Sequence, residues 1–467
     1  MNKDLLKSID AFIDESKEAI FRDIARLVAI DSVEGPAAPG APYGEKPAEA
    51  LRVGLEIARE LGLETVDCEG HIGYALVGDR AGEKYLATIT HLDIVPAGTG
   101  WKADPFTMRR RDGWLIGRGV QDDKGPSVLC LYALKYLKES GIELKYPVRA
   151  LLGINEETGM GDVDYYLENY PAPVFCFSPD ANFPLCNGEK GIYHGRMNAK
   201  VPMENIVDIK GGVAANAVPS LAEAWVRADK ALTGTEDLEV QEENGLWHLT
   251  AHGIGGHASM PEGTKNAIGV LVNYILDNGL AGENEAKFLR FVSLLNKDTG
   301  GEAVNVAATV DKSQDQGLFG PLTLVGGVIG VENGRMFQTL DSRYPTGTSG
   351  EKIAAAIQAL AGDVLEVTIG SDAKPFYVSA DSPQVQTCLR AYNMVTGEKA
   401  EPYTIGGGTY ARHFPNAVSF GPEHPERPMP DFAGPIHGAE EAASEAWLLE
   451  ALKVYILALL ELEKLDL

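Results

Sequence analysis

Apolar residues open the chain at helical spacing: Leu5, Ile9, Phe12, Ile13, Ile20, Ile24 and Leu27, with charges between them. That period predicts an amphipathic opening helix. The charges run throughout the segment, without an unbroken apolar core or a small-residue cleavage site, which argues against a signal peptide. Residues 47–63 predict a second helix, ended by a turn at Gly62. Residues 85–93 are an apolar run that ends in polar side chains and predict a buried strand. Residues 128–141 predict a helix with Ser127 near its start and Gly141 at its end. Residues 148–157 and 174–180 repeat the strand pattern, each running into acidic residues. Strands that alternate with helices predict an α/β layer fold, here a mostly parallel sheet flanked by helices.

From about residue 187 the pattern changes. Strand-like runs at 191–201, 246–253, 303–310 and 322–330 alternate with helical patterns at 266–276 and 351–362. After about residue 376 the first style returns, with a helix at 382–397, a short buried strand at 417–421 and a closing helix over 440–465. The pattern therefore predicts a discontinuous catalytic domain, 1–186 and 376–467, with a large α+β lid domain, 187–375, inserted into it.

Composition narrows the class. Of 467 residues, 45% are hydrophobic and 23% charged, as in an ordinary soluble globular protein, and no run suggests a membrane span. The formal net charge of −26 repels nucleic acid and anionic lipid. Five dispersed cysteines (Cys68, Cys130, Cys176, Cys186, Cys388) include no CxxC pair and point to reduced thiols and a cytoplasmic setting.

Three apolar strands each run into a metal-type side chain: His91, the pair Glu156–Glu157, and Asp180. Ligands of open α/β sheets bind beyond the carboxyl ends of the strands, so these residues are expected to converge. In His91-Leu92-Asp93, positions i and i+2 of a strand share a face, and Asp93 can accept the free ring N–H of His91. Asp122 and Asp123 are adjacent carboxylates near a helix start, where the helix dipole favours negative charge, and one carboxylate can bridge two cations. Of two neighbouring glutamates, one can bind a metal while the other handles a proton. His437 lies in a loop that leads into the closing helix. Each signal alone also has a commonplace reading: a surface His beside an Asp, an N-cap, surface glutamates, a turn Asp, a helix-initiating His. Together they supply two His and three carboxylate ligands with a spare Glu. That set suits Zn²⁺, with Mn²⁺ or Co²⁺ also accepted.

At this point the motifs HLDIVPAGTGWKADPF (91–106), GRGVQDDKGPS (117–127), INEETGMGD (154–162), FSPDANFP (177–184) and IHGAEE (436–441) resemble, in order and character, the zinc aminopeptidase, carboxypeptidase and aminoacylase superfamily. Within it the chain is most similar to the bacterial peptidase V group, the carnosinase-like Xaa-His dipeptidases, over essentially its whole length. The resemblance implies that His91 and Asp180 bind one metal, that Glu157 and His437 bind the other, and that Asp122 bridges both. It further implies a cis peptide between Asp122 and Asp123, Glu156 as the general acid/base and Asp93 as the residue orienting His91. Asp rather than Glu at position 180 is the pattern of the dipeptidases and aminopeptidases. In the lid, GIGGHASMPEGTKNAI (253–268), NAVPS (216–220) and DSRYP (341–345) imply active-site roles for His257, Asn216 and Arg343, and GGGTYAR (406–412) implies a substrate-carboxylate loop at Gly406, Gly407 and Gly408.

The implied function is cleavage of short peptides, chiefly dipeptides with a free carboxylate, by a hydroxide bridging two divalent metal ions. His257 and Arg343 stabilise the oxyanion. The size of the lid, which in peptidase V stands in for a partner subunit, implies a monomer. Two other readings stay open: an N-acyl amino acid deacylase or aminoacylase of the same superfamily, disfavoured by Asp180 and the large lid, and a non-catalytic binding protein on the same fold.

Overall fold

The computed structural model describes residues 3–79, 84–315 and 317–467. Met1 and Asn2 of the opening segment lie outside the described residues. The chain forms two compact units, one from residues 1–187, 377–403 and 409–467, the other from 188–376 and 404–408.

The first unit begins with helices α1 (Lys3–Val28) and α2 (Glu45–Glu60), followed by strands β1 (Glu64–Cys68), β2 (Ile72–Val77), β3 (Leu86–His91), β4 (Arg109–Arg111) and β5 (Trp114–Ile116). Helix α3 (Lys124–Glu139), β6 (Val148–Gly153), α4 (Gly161–Asn169), β7 (Phe175–Ser178) and β8 (Ala181–Asn182) follow. The main sheet has the order β1-β2-β6-β3-β7 and continues into the strand Ala417–Ser419. Its centre is parallel: β3 pairs in parallel with β6 and with β7, and β7 with Ala417–Ser419. The β1/β2 and β2/β6 pairings are antiparallel. Parallel strands are covered on both faces, so they carry continuous apolar runs. Accordingly, every residue of β3, β6 and β7 is buried. Helices α1 and α3 and the closing helix Glu445–Leu462 supply much of the core packed against this sheet, including Ile20, Leu27, Leu131, Leu134, Leu452 and Ile456.

The parallel registers align the strand ends. His91 is the last residue of β3 and lies opposite Gly153, the last residue of β6. The glutamate pair starts three residues beyond β6, and Asp180 follows two residues after β7. One sheet edge therefore presents all of these groups.

The second unit is α+β. Its sheet runs in the order 238–243, 246–252, 221–226, 206–211, 329–332, 335–344, 191–199, 365–373, with antiparallel neighbours. The helices Ala267–Asp277, Glu283–Leu295 and Gly350–Ala361 contribute to its own apolar core.

Two expected elements take another form. Residues 303–310 are not a strand but a turn followed by the short 3-10 helix Ala307–Thr309. The Asp298 carboxylate accepts the N–H groups of Gly300, Glu302 and Ala303 at 2.9–3.0 Å, and Asn305 adopts a left-handed backbone. Side-chain capture of consecutive amides removes the ladder donors that a strand needs. The closing helix begins at Glu445 rather than at residue 440. Glu440 has a positive φ, and Ala442–Ser444 pair with β5 as a strand before Ser444 caps the helix.

Ile89 is fully buried at the centre of β3. Ile89→Ala is expected to lower stability by about 2–5 kcal/mol, from lost transfer energy plus a cavity. The check is the unfolding midpoint in urea.

Candidate metal centre

The short connections beyond β3, β6 and β7, the start of α3 and the loop before the final helix bring their polar groups together in the first unit. At the centre is the Asp122 carboxylate. Its Oδ1 is 2.9 Å from His91 Nε2, and its Oδ2 is 2.9 Å from His437 Nε2. Asp180 Oδ2 is 4.0 Å from His91 Nε2, and Glu157 Oε1 is 3.2 Å from His437 Nε2. His91, Asp122 and Glu157 offer donor atoms within 4.8 Å of one another, as do His91, Glu156 and Asp180. Imidazole nitrogens and carboxylate oxygens at this spacing form a donor set that can hold a divalent metal ion.

The electrostatics point the same way. Burial resists charge on His91, but hydrogen bonds to Asp122 and Asp93 overcome it and raise its pKa well above the ordinary histidine value. Hydrogen bonds to Asp122 and Glu157 push His437 up to about 11. Burial would raise Asp122, yet the hydrogen bonds from His437 and His91 hold it far below the usual carboxylate range. Burial, reinforced by Asp180, pushes Glu156 well above the ordinary value, and burial reinforced by Asp122 does the same to Asp180. So many carboxylates ionise together in a buried space only when positive charge is held among them.

The ring and backbone geometry is set by a second layer of buried acids. His91 Nδ1 lies 3.1 Å from the Asp93 carbonyl oxygen and 3.4 Å from Asp93 Oδ1. Asp93 lies beyond the end of β3, so the strand argument for a shared face does not by itself place its carboxylate. That carboxylate also accepts the N–H groups of Glu156, at 3.2 Å, and Glu157, at 3.1 Å. Asp162 accepts those of Ile154, at 2.6 Å, and Asn155, at 3.1 Å, and the Tyr410 hydroxyl. Four consecutive amides of the glutamate loop are thereby held by two buried carboxylates. The Asp122–Asp123 peptide is cis, and Asp123 Oδ2 accepts the backbone N–H of His91 at 3.1 Å.

Glu440 and Glu441, which the sequence reading did not single out, fix the two loops to each other. Glu441 is fully buried, pairs with Arg118 at 2.6 Å and accepts the N–H groups of Gly119, Gln121 and Asp122. Glu440 accepts from the Lys102 N–H at 2.9 Å and from Arg109 at 2.7 Å. His437 and Glu440 both have φ near +60°, a strained conformation for residues with side chains. The one sequence signal was the pair of adjacent acids shortly after a candidate ligand.

The remaining expected site residues lie in the second unit and form their own group. His257 is on a two-residue strand paired with Ala217–Val218, and the Ala258 N–H donates to the Asn216 carbonyl at 2.9 Å. His257 Nδ1 is 2.6 Å from the Ser259 hydroxyl, and a Cβ on Gly406 would lie 3.0 Å from that of Ser259. Arg343 is buried, forks onto Asp341 at 2.8 and 3.0 Å, and donates to the Gly406 carbonyl at 3.0 Å. The loop of Gly406, Gly407 and Gly408 thus packs with Arg343 and the Ser259 turn.

Comparison with known proteins adds the wider context. The model of "Peptidase family M20/M25/M40" matches residues 87–461. A Beta-Ala-Xaa dipeptidase of Lactobacillus delbrueckii subsp. lactis is 33% identical, with 97% of each chain covered. The putative dipeptidase YtjP of Bacillus subtilis (strain 168) is 32% identical, covering 96% of this chain and 98% of its own. Human carnosine dipeptidase 1 shares the fold with a TM-score of 0.62 at 15% identity, with 99% of both chains covered.

Glu441→Ala leaves the Arg118 guanidinium buried without its carboxylate. The expected cost is about 3–5 kcal/mol, read as a lowered unfolding midpoint in denaturant.

Proposed function

The chain belongs to peptidase family M20/M25/M40, and from that premise we propose that it is a two-metal dipeptidase acting on short peptides with a free carboxylate. The observation that carries the proposal is the Asp122 carboxylate, with one oxygen turned to His91 and the other to His437. In this reading His91 and Asp180 hold one cation, Glu157 and His437 the other, and Asp122 both. Zn²⁺ suits these nitrogen and oxygen donors best, with Mn²⁺ or Co²⁺ as substitutes. Bound there, the cations would supply a water acidified to a pKa of about 7 and a polarised carbonyl.

The chain's own residues do the rest. Glu156 takes the proton of the attacking water and gives it to the leaving amine. Asp93 keeps Glu156 and Glu157 in place through their backbone amides and steadies His91. To the second unit the proposal gives substrate recognition: Arg343, Asn216 and the Gly406–Gly408 loop take the substrate carboxylate, and His257 with Arg343 takes the developing oxyanion. The names of two relatives, a Beta-Ala-Xaa dipeptidase and a putative dipeptidase, support this substrate class over N-acyl amino acids. The large inserted unit supports a monomer, and the dispersed cysteines fit the reducing cytoplasm.

The test is a hydrolysis panel of dipeptides against N-acetyl and N-succinyl amino acids, using metal-stripped protein refilled separately with Zn²⁺, Mn²⁺ and Co²⁺. Dipeptides are expected to be the better substrates, and a preference for the acylated compounds sinks the proposal. Glu156→Gln is expected to keep two equivalents of metal by elemental analysis while kcat falls at least a hundred-fold. Near wild-type turnover in that variant refutes the acid/base assignment. Stripping the metals is expected to lower the melting temperature, because the crowded carboxylates lose their counter-charge. Refilling should restore it, as followed by calorimetry.

A further inference from the structure

A cavity of about 300 Å³ in the first unit lies outside every residue assigned so far. Its lining includes Gln121 and Ile436, the sequence neighbours of Asp122 and His437, so it opens beside the metal centre. Much of the wall is apolar, with Trp114, Met429 and Trp447. One carboxylate faces it, that of Glu423. Glu423 is on the two-residue strand Pro422–Glu423, which pairs in parallel with β8, and β8 starts immediately after Asp180.

Among the described residues the Glu423 carboxylate makes no hydrogen bond or ion pair. The nearby basic side chains of the cavity face other acids: Arg427 donates to Glu450 at 2.8 Å, and His424 Nδ1 lies 3.3 Å from Glu426. A half-buried carboxylate left without a partner in an otherwise apolar cavity is costly unless a ligand supplies the opposite charge. Burial, with Asp122 and Glu441 next, pushes this carboxyl up to about 7.

We propose that this cavity is the subsite for the substrate's N-terminal residue: Glu423 receives its free ammonium, and the wall of Trp114, Met429, Ile436 and Trp447 receives its hydrocarbon part. The inference rests on the dipeptidase reading and adds to it the residue that tells a free amine from an acylated one. The dipeptidase reading gives the substrate carboxylate to residues of the second unit, which leaves a cavity of the first unit, lined by the sequence neighbours of Asp122 and His437, for the amino side. An ammonium–carboxylate contact is a charge-assisted hydrogen bond, so its loss weakens binding by about ten-fold or more. An α- or a β-ammonium supplies the same chemistry, and the substrates in the test separate them.

The test uses the metal-loaded full chain and its Glu423→Gln variant. Three substrate types are compared: an α-aminoacyl dipeptide, its β-alanyl counterpart, and the des-amino analogue with an acyl group of the same carbon skeleton. Glu423→Gln is expected to raise KM for the amino substrate that the wild type prefers by at least ten-fold. Its kcat should change much less, and the preference for the amine over the des-amino analogue should collapse. Metal content should stay at two equivalents, with Glu423→Asp recovering part of the KM. An unchanged amine preference overturns the assignment, as does an equal loss on amino and des-amino substrates or the loss of one metal equivalent. A wild type that cleaves no dipeptide at all overturns the dipeptidase reading itself, a result the wild-type arm gives before any variant is made.

Discussion

Everything in the first unit's functional region is constrained by the crowding of like charge around Asp122. Asp122, Glu156, Glu157 and Asp180 crowd around the buried imidazole of His91 and the more exposed one of His437. Carboxylates at a few ångströms repel strongly where water is scarce, and burial alone favours their neutral forms. The arrangement resolves this by making Asp122 the shared acceptor of two histidines, so that the central negative charge has a nitrogen on each side. Glu156 and Asp180, which lack such a partner, are the groups pushed toward protonation. A compact positive charge among them would reverse that shift, so the same crowding is a driving force for cation binding.

Such repulsion would open the loops unless they were held by other means. The holding is done by buried hydrogen bonds to backbone rather than by apolar packing. Asp93 and Asp162 between them take four successive amides of the glutamate loop, and Glu441 takes three amides of the loop that carries Asp122. Each of these acids accepts bonds that must otherwise be left unmade in a buried turn, where an orphaned amide costs about 1–3 kcal/mol. Arg118 neutralises Glu441 within the same layer, and the His91 ring lies 3.4 Å from the Asp93 carboxylate. A short loop held at successive amides has little freedom to move its side chains, and that immobility is what two adjacent glutamates with different tasks require.

Much of this was legible in the sequence where one local pattern decides the outcome. The apolar runs before His91, Glu156 and Asp180 read as buried parallel strands, and the rule that polar groups gather beyond strand ends brought them to one edge. What was not legible depended on side chains that reach across the chain. Residues 303–310 are the local exception: they have the apolar content of a strand, but Asp298 captures the Ala303 amide and those of Gly300 and Glu302 before it, which turns the chain there. The final helix loses its first turn to a strand pairing with β5, a long-range contact with no periodic signal. Glu440 and Glu441 carry no ligand-like motif, and their roles arise only when loops more than three hundred residues apart meet.

The same distinction separates chemistry from selectivity. Residues that face a pair of cations are restricted to a few types at fixed separations, and such restriction leaves a recognisable spacing in the chain. A carboxylate that meets a substrate's ammonium has no such restriction, since any element bordering the cavity can supply it. Glu423 sits in a stretch rich in proline and charge, between a buried strand and the loop of His437, and nothing in its immediate sequence distinguishes it from Glu426 three residues on. Only the fold separates them: Glu426 is exposed and lies within 3.3 Å of His424, whereas Glu423 faces the cavity beside Asp122 with no counter-charge of its own. On the proposed role of Glu423, specificity is therefore carried by a position in a cavity and leaves no motif in the chain.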